Sequence, residues 1–152
     1  MNTADDPAPD LLAQTLEQAG FESLWYGEHS HIPVARQTPY PPGGPLPEPY
    51  KKMMDPYVSL TAAASATKTL KVGTGIALLL ERELLSQAKT ICSLDRISEG
   101  RLMIGCGVGW NEEEFNNASN LPWNRRYLAL KETVAAQRAL FTEGEPEFVG
   151  EL

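Results

Sequence analysis

GRLMIGCGVGWNEEEF, Gly100 to Phe115, reads in order as a buried strand, a glycine-rich turn and a helix start. Leu102, Met103 and Ile104 are consecutive apolar residues, the pattern of a strand covered on both faces in a parallel sheet. Gly105, Gly107 and Gly109 then remove every second side chain, so the backbone can approach a flat ligand or take positive φ. Asn111 is a good N-cap, and Glu112, Glu113 and Glu114 fill the first turn, where the helix dipole favours negative charge. Parallel α/β folds put their chemistry at such strand-to-helix turns. A dinucleotide-phosphate fingerprint does not fit, because the spacing is G-x-G-x-G and three glutamates would repel a pyrophosphate. On spacing alone, a ligand-free structural turn and a turn against the neutral ring of a cofactor fit equally well.

Outward from this stretch, helical and strand patterns alternate. Asp10 is placed to cap a helix carrying Leu12, Leu16 and Ala19 and closed by Gly20; Leu24 to Tyr26 form a short buried strand. Asp55-Pro56 starts a second helix, rich in alanine, that runs to about Thr69. Lys71 to Ile76 is the next strand, and Leu84, Ala88, Ile91 and Leu94 mark one face of the following helix. After Phe115, Tyr127, Leu130, Val134 and Phe141 line a last helix, and EPEFVGEL reads as the beginning of a strand or hairpin. This order predicts an α/β fold of parallel strands with helices packed outside, in a single domain over residues 1–152.

Composition narrows the function. A formal net charge of -7 and a pI near 4.8 argue against nucleic-acid and anionic-membrane surfaces. There is no apolar run of membrane-spanning length, and the start MNTADDPAPD is unlike a signal peptide. Cys92 and Cys106 lack metal-ligand spacing, so no metal site is expected; they read as reduced core residues of a cytoplasmic protein.

The titratable candidates follow the first strand as Glu28-His29-Ser30-His31, at the carboxyl end where ligands bind in parallel sheets. Residues 32–54 then run through Pro and Gly without periodicity, with Tyr40 and Tyr50 available for packing. This stretch reads as a lid loop over the mouth.

Three runs carry a resemblance: GFESLWYGEHSHIP (20–33), DPYVSLTAAASATKTLKVGTGI (55–76) and LDRISEGRLMIGCGVGWNEEEF (94–115). In order and spacing they resemble the luciferase-like monooxygenase family, within it the deazaflavin-dependent oxidoreductases of actinobacterial type, which share the PYP…GPLPEPY…DP loop. The resemblance implies a (β/α)8 TIM barrel with coenzyme F-420 (a deazaflavin), or alternatively FMN, at the carboxyl ends of the strands. It implies that His29 is catalytic and lies near the reactive ring, with His31 less important. Gly75 and Ile76 match a pair joined by a non-proline cis peptide behind the ring, and Gly107, Val108, Gly109 and Trp110 match a cofactor-contacting turn. Two departures stand out. Leu79-Leu80-Glu81-Arg82-Glu83 replaces a Pro-containing loop, and Trp110 stands where some relatives carry an acidic catalytic residue.

A whole barrel takes ~250 residues, so the chain is expected to be about half of one, without its opening strand. The implied function is hydride transfer between the cofactor and a small organic substrate. The alternative is a non-catalytic half-barrel remnant or assembly subunit that binds no cofactor alone. Either way, self-association or a partner that completes the barrel is expected.

Overall fold

A computed structural model describes residues 1–142 and 144–152. Three strands, β1 (Ser23–Tyr26), β2 (Lys71–Ala77) and β3 (Leu102–Cys106), form one parallel sheet in the order β1-β2-β3. Helices α1 (Pro9–Gln18), α2 (Pro56–Ser65) and α3 (Leu84–Ile97) alternate with them; α4 (Glu112–Ala118) and α5 (Arg126–Leu140) follow. The alternation expected from the sequence is therefore present.

Local signals explain most boundaries. Asp55 caps α2 by accepting from the backbone N–H groups of Tyr57 and Val58 at 2.8 and 3.1 Å. Glu83 caps α3 in the same way through Leu85 and Ser86. Glu99 and Gly100, at φ 56° and 79°, turn the chain from α3 into β3. Some expectations need correction. Pro9 rather than Asp10 opens α1, and Asp10 lies inside its first turn with no side-chain cap at Ala8. Helix α2 ends at Ser65, because Ala66 to Leu70 turn around the carboxylate of Glu17, which accepts three backbone N–H groups there. Residues 145–152 form no strand.

The core lies between the sheet and its helices. Leu24, Tyr26, Val72 and Ala77 meet Leu60, Ala63, Ala64, Ile91 and Leu94. A second cluster of Leu80, Phe115 and Ala129 anchors α4 and α5. In α5 the covered residues are Ala129, Ala136 and Gln137, while Tyr127 and Phe141 are exposed. Cys92 is also exposed and so is not a core residue; both cysteines are free.

The other face of the sheet is open. Every residue of β3 is half-buried, contrary to the double coverage its apolar run suggests. On that face Trp25 lies across two glycines. A Cβ on Gly73 would stand 2.6 Å from the Trp25 ring, and one on Gly105 2.5 Å from the carbonyl oxygen of Thr74. These glycines make room for an indole and a close neighbouring strand; neither has positive φ. The Gly75–Ile76 peptide is cis, and the β2–β3 register shifts between Thr74 and Ala77.

Candidate functional site

The carboxyl ends of β1 and β2 open on a cavity of about 260 Å³, lined by Trp25, Gly27, Glu28, His29, Tyr50, Met53, Gly75, Ile76 and Trp110 among others. A larger groove, about 460 Å³, lies on the outer surface between α2 and α3, away from the strand ends and from both histidines.

His29 leaves β1 just past its end and turns inward. Its Nδ1 is 2.6 Å from Glu114 Oε2, and the two side chains are 8% and 1% exposed. Glu114 Oε1 accepts the backbone N–H groups of Ser30 at 2.7 Å and His31 at 3.4 Å. A carboxylate held by donors on one oxygen needs a donor on the other, so His29 carries its proton on Nδ1. Nε2, without a hydrogen-bond partner among the described residues, is the free nitrogen of this cavity-lining imidazole.

Aromatic rings close around it. Tyr50 and Trp110 pack edge-on to His29 at 5.4 and 5.6 Å, and Tyr40 meets both of them at 5.4 and 5.9 Å. The Tyr40 and Tyr50 hydroxyls share a 3.2 Å hydrogen bond, and Arg36 lies over the Trp110 ring. The 32–54 loop, with a 3₁₀ turn at Glu48–Lys52, thus lies against the mouth. Glu113 ties it to α4 by accepting the backbone N–H groups of Gln37 and Thr38 at 2.6 and 3.0 Å. Those hydrogen bonds pull the Glu113 carboxyl down to about 2.

The 79–83 segment buttresses the site. Leu79 and Leu80 are buried. Arg82 bridges Glu28 and Asp55, and Glu28 also accepts the Leu78 N–H at 2.7 Å. Glu81 reaches Ser30 Oγ at 3.1 Å; burial, then the nearby charge of Glu114, pushes its carboxyl up to about 8.

Of the residues singled out in the sequence, His29, Gly75, Ile76 and Trp110 line the cavity together. Gly107 lies behind Ile76, where a Cβ would stand 2.3 Å from Ile76 Cδ1, and Gly109 turns at φ 74° beside Leu78 and Glu81. Val108 packs on the Leu80–Phe115 cluster instead of the cavity. His31 is exposed, with Nε2 2.9 Å from the Asn117 amide. Asn111 stands at the N-cap of α4 but makes no side-chain cap; it is buried and both polar atoms lack partners. Sequence reasoning missed Glu114, Glu113 and Glu81. Their only signal was position, in the turn after β3 and in the loop after β2.

A slot with an apolar floor at Ile76, aromatic walls and one imidazole suits a flat, largely neutral ring. No Lys or Arg side chain lines it. Among the described residues, no group of three His, Cys, Asp or Glu is arranged for a metal, and no helix is long and apolar enough to cross a membrane.

Residues 11–152 match the model of the luciferase-like monooxygenase family. An uncharacterized protein of Mycobacterium tuberculosis is 38% identical over 146 residues, covering 94% of this chain and 51% of that protein. The monooxygenase RslO1 from Streptomyces bottropensis superposes with a TM-score of 0.75 at 26% identity, over 94% of this chain and 39% of that one. The coenzyme F-420-dependent tetrahydromethanopterin reductase from Methanopyrus kandleri gives 0.71 at 25%, over 99% and 41%. The chain thus spans about half the length of that mycobacterial relative, and its sheet is a three-stranded arc of a (β/α)8 barrel. It belongs to the luciferase-like monooxygenase family.

Proposed function

We propose that this chain is the ring-binding part of an oxidoreductase that moves a hydride between a deazaflavin, coenzyme F-420, and a small organic substrate. The observation that carries the reading is the buried His29–Glu114 pair beside an aromatic slot floored by Ile76. The named function of the Methanopyrus kandleri reductase supports the choice of cofactor, and FMN is the alternative. When bound, the ring supplies the hydride acceptor or donor. Gly75, Ile76 and Trp110 give it an apolar bed, and Gly107, Val108 and Gly109 shape the turn behind that bed. His29 works from Nε2, exchanging a proton with the substrate or ring, while Glu114 holds the imidazole in orientation. The 32–54 loop acts as a lid that keeps water from the slot.

Because no Lys or Arg side chain lines the slot, ring recognition should be separable from phosphate recognition. Titration of the chain, followed by ring absorbance, should give weak binding, with riboflavin and FMN equal to within about tenfold. Much tighter binding of FMN would mean that a phosphate site exists in the chain. In a form that turns over, His29→Ala should lower the rate by ~10²-fold or more, and a loss below about tenfold would remove His29 from proton transfer. A second reading, a subunit without activity of its own, draws on the open sheet face with Trp25 44% exposed. No spectral change with any ring at millimolar concentration would favour it.

A further inference from the structure

With a ring in the slot and Tyr50 and Trp110 against its sides, the imidazole of His29 is shut off from water on its cavity side. A proton taken or given at Nε2 then has to be balanced through Nδ1. We propose that Glu114, Ser30 and Glu81 form a proton path joining His29 to solvent at His31. This rests on the reading of His29 as the group that exchanges a proton with bound ligand.

The groups are contiguous. His29 Nδ1 is 2.6 Å from Glu114 Oε2, and Glu114 Oε1 is 3.3 Å from Ser30 Oγ. Ser30 Oγ is in turn 3.1 Å from Glu81 Oε2 and 2.9 Å from His31 Nδ1. Two carboxylates thus converge on one hydroxyl, which has a single proton to give. If both were ionised, one would face the lone pairs of Ser30 Oγ with no hydrogen between them. A protonated Glu81 resolves this, its O–H pointing at Ser30 Oγ while the Ser30 proton points at Glu114. Burial and the Glu114 charge favour that state by raising Glu81 to about 8. The charges around Glu81 are Glu114 from α4, Glu28 from the end of β1 and Arg82 beside it; the Ser30 hydrogen bond and, behind it, Arg82 oppose the shift without reversing it. The closest approach of the glycine turn is Gly109, which carries no side chain.

Each transfer is balanced. When Nε2 takes a proton from ligand, Nδ1 gives its own to Glu114, Glu114 one to Ser30, and Ser30 one to Glu81, which first releases its proton to water. His29 keeps its starting charge in the other tautomer, and Glu81 ends protonated as it began. Proton release at Nε2 from that tautomer runs the same chain in reverse, with Glu81 refilled from water, and no electrons move. Ser30 and Glu81 act through Glu114 and are positioning and relay groups, not residues that touch ligand.

The chain has two histidines, so their ring signals can be followed by nitrogen NMR without cofactor. The measurement is the exchange of the His29 Nδ1 proton with water near pH 7. Ser30→Ala removes the hydroxyl but keeps the backbone N–H bond to Glu114. It should slow exchange about tenfold or more, and Ser30→Thr should restore it. Glu81→Gln should slow it too, and should remove from the His29 shifts the titration step near pH 8. Unchanged or faster exchange in Ser30→Ala and Glu81→Gln would overturn the path. That result stands apart from turnover in His29→Ala: loss of turnover with unchanged exchange defeats the path alone, and intact turnover defeats the reading of His29 beneath it.

Discussion

Glu113 and Glu114 are adjacent in one helical turn, yet they reach in different directions. Glu113 holds the 32–54 loop and Glu114 the histidine. Glu114 is 1% exposed and accepts from two backbone N–H groups as well as the imidazole. Glu114→Ala would leave those part-buried donors without their carboxylate partner, at about 1–3 kcal/mol for each one that water does not reach. The denaturation midpoint should fall accordingly, and a midpoint equal to the parent's would contradict the pairing. Glu81 predicts a pH dependence of opposite sign to that of an ordinary ion-paired carboxylate. Its folded pKa, about 8, is above the usual 4.5, so the folded chain holds the proton more tightly. That contribution is complete below 4.5 and is lost as pH rises through 8. Glu81→Gln should therefore flatten the fall in thermal stability between those limits. None of this was legible in the sequence beyond His29. The partners His29 and Glu114 are 85 residues apart. A run of three glutamates at a helix start has a sufficient local explanation in the helix dipole.

Elements were more readable than pairs, because their causes are local. Asp55-Pro56, the apolar face of α3 and the strand at 102–106 all follow from capping and periodicity. What failed were the ends and faces set by tertiary contact: the stop of α2 at the Glu17 carboxylate, and the outward Tyr127, which stacks on Arg126. The glycines were seen, but the reason for them was not. Gly105 faces the Thr74 carbonyl, a backbone atom that cannot swing aside, whereas Gly107 faces the tip of Ile76. Gly105→Ala should thus destabilise by ~1–3 kcal/mol and Gly107→Ala by less, as read from denaturant unfolding. The reverse order would mean that the strand can shift. At the mouth, the Glu113 tie to the loop is complete above the ordinary 4.5 and is lost as pH falls through about 2. Limited proteolysis between Ile32 and Met54 should accelerate on acidification with an acid-active protease. Glu113→Ala should already be fast at neutral pH; equal rates would separate the loop from α4.

At the scale of the whole molecule, α/β alternation was readable from pattern, and the barrel arc only from the family resemblance. Periodicity could not say which face of β3 would be bare, because an apolar run looks the same under one cover or two. β1 and β3 each pair on one side only among the described residues, and Trp25 and Ile76 are exposed on the open side. Unpaired edges beside apolar surface favour association. The apparent mass on size exclusion should therefore rise with concentration, and a monomer at every concentration would show the face to be self-sufficient. Trp25 adds a consequence of another kind. Of the three tryptophans, Trp110 and Trp123 are partly buried within the chain, while Trp25 rests on bare glycine with its outer side in water. Its indole emission is thus a built-in optical gauge of barrel closure: long-wavelength while the interior is wet, shifting to the blue when any protein surface is laid over it.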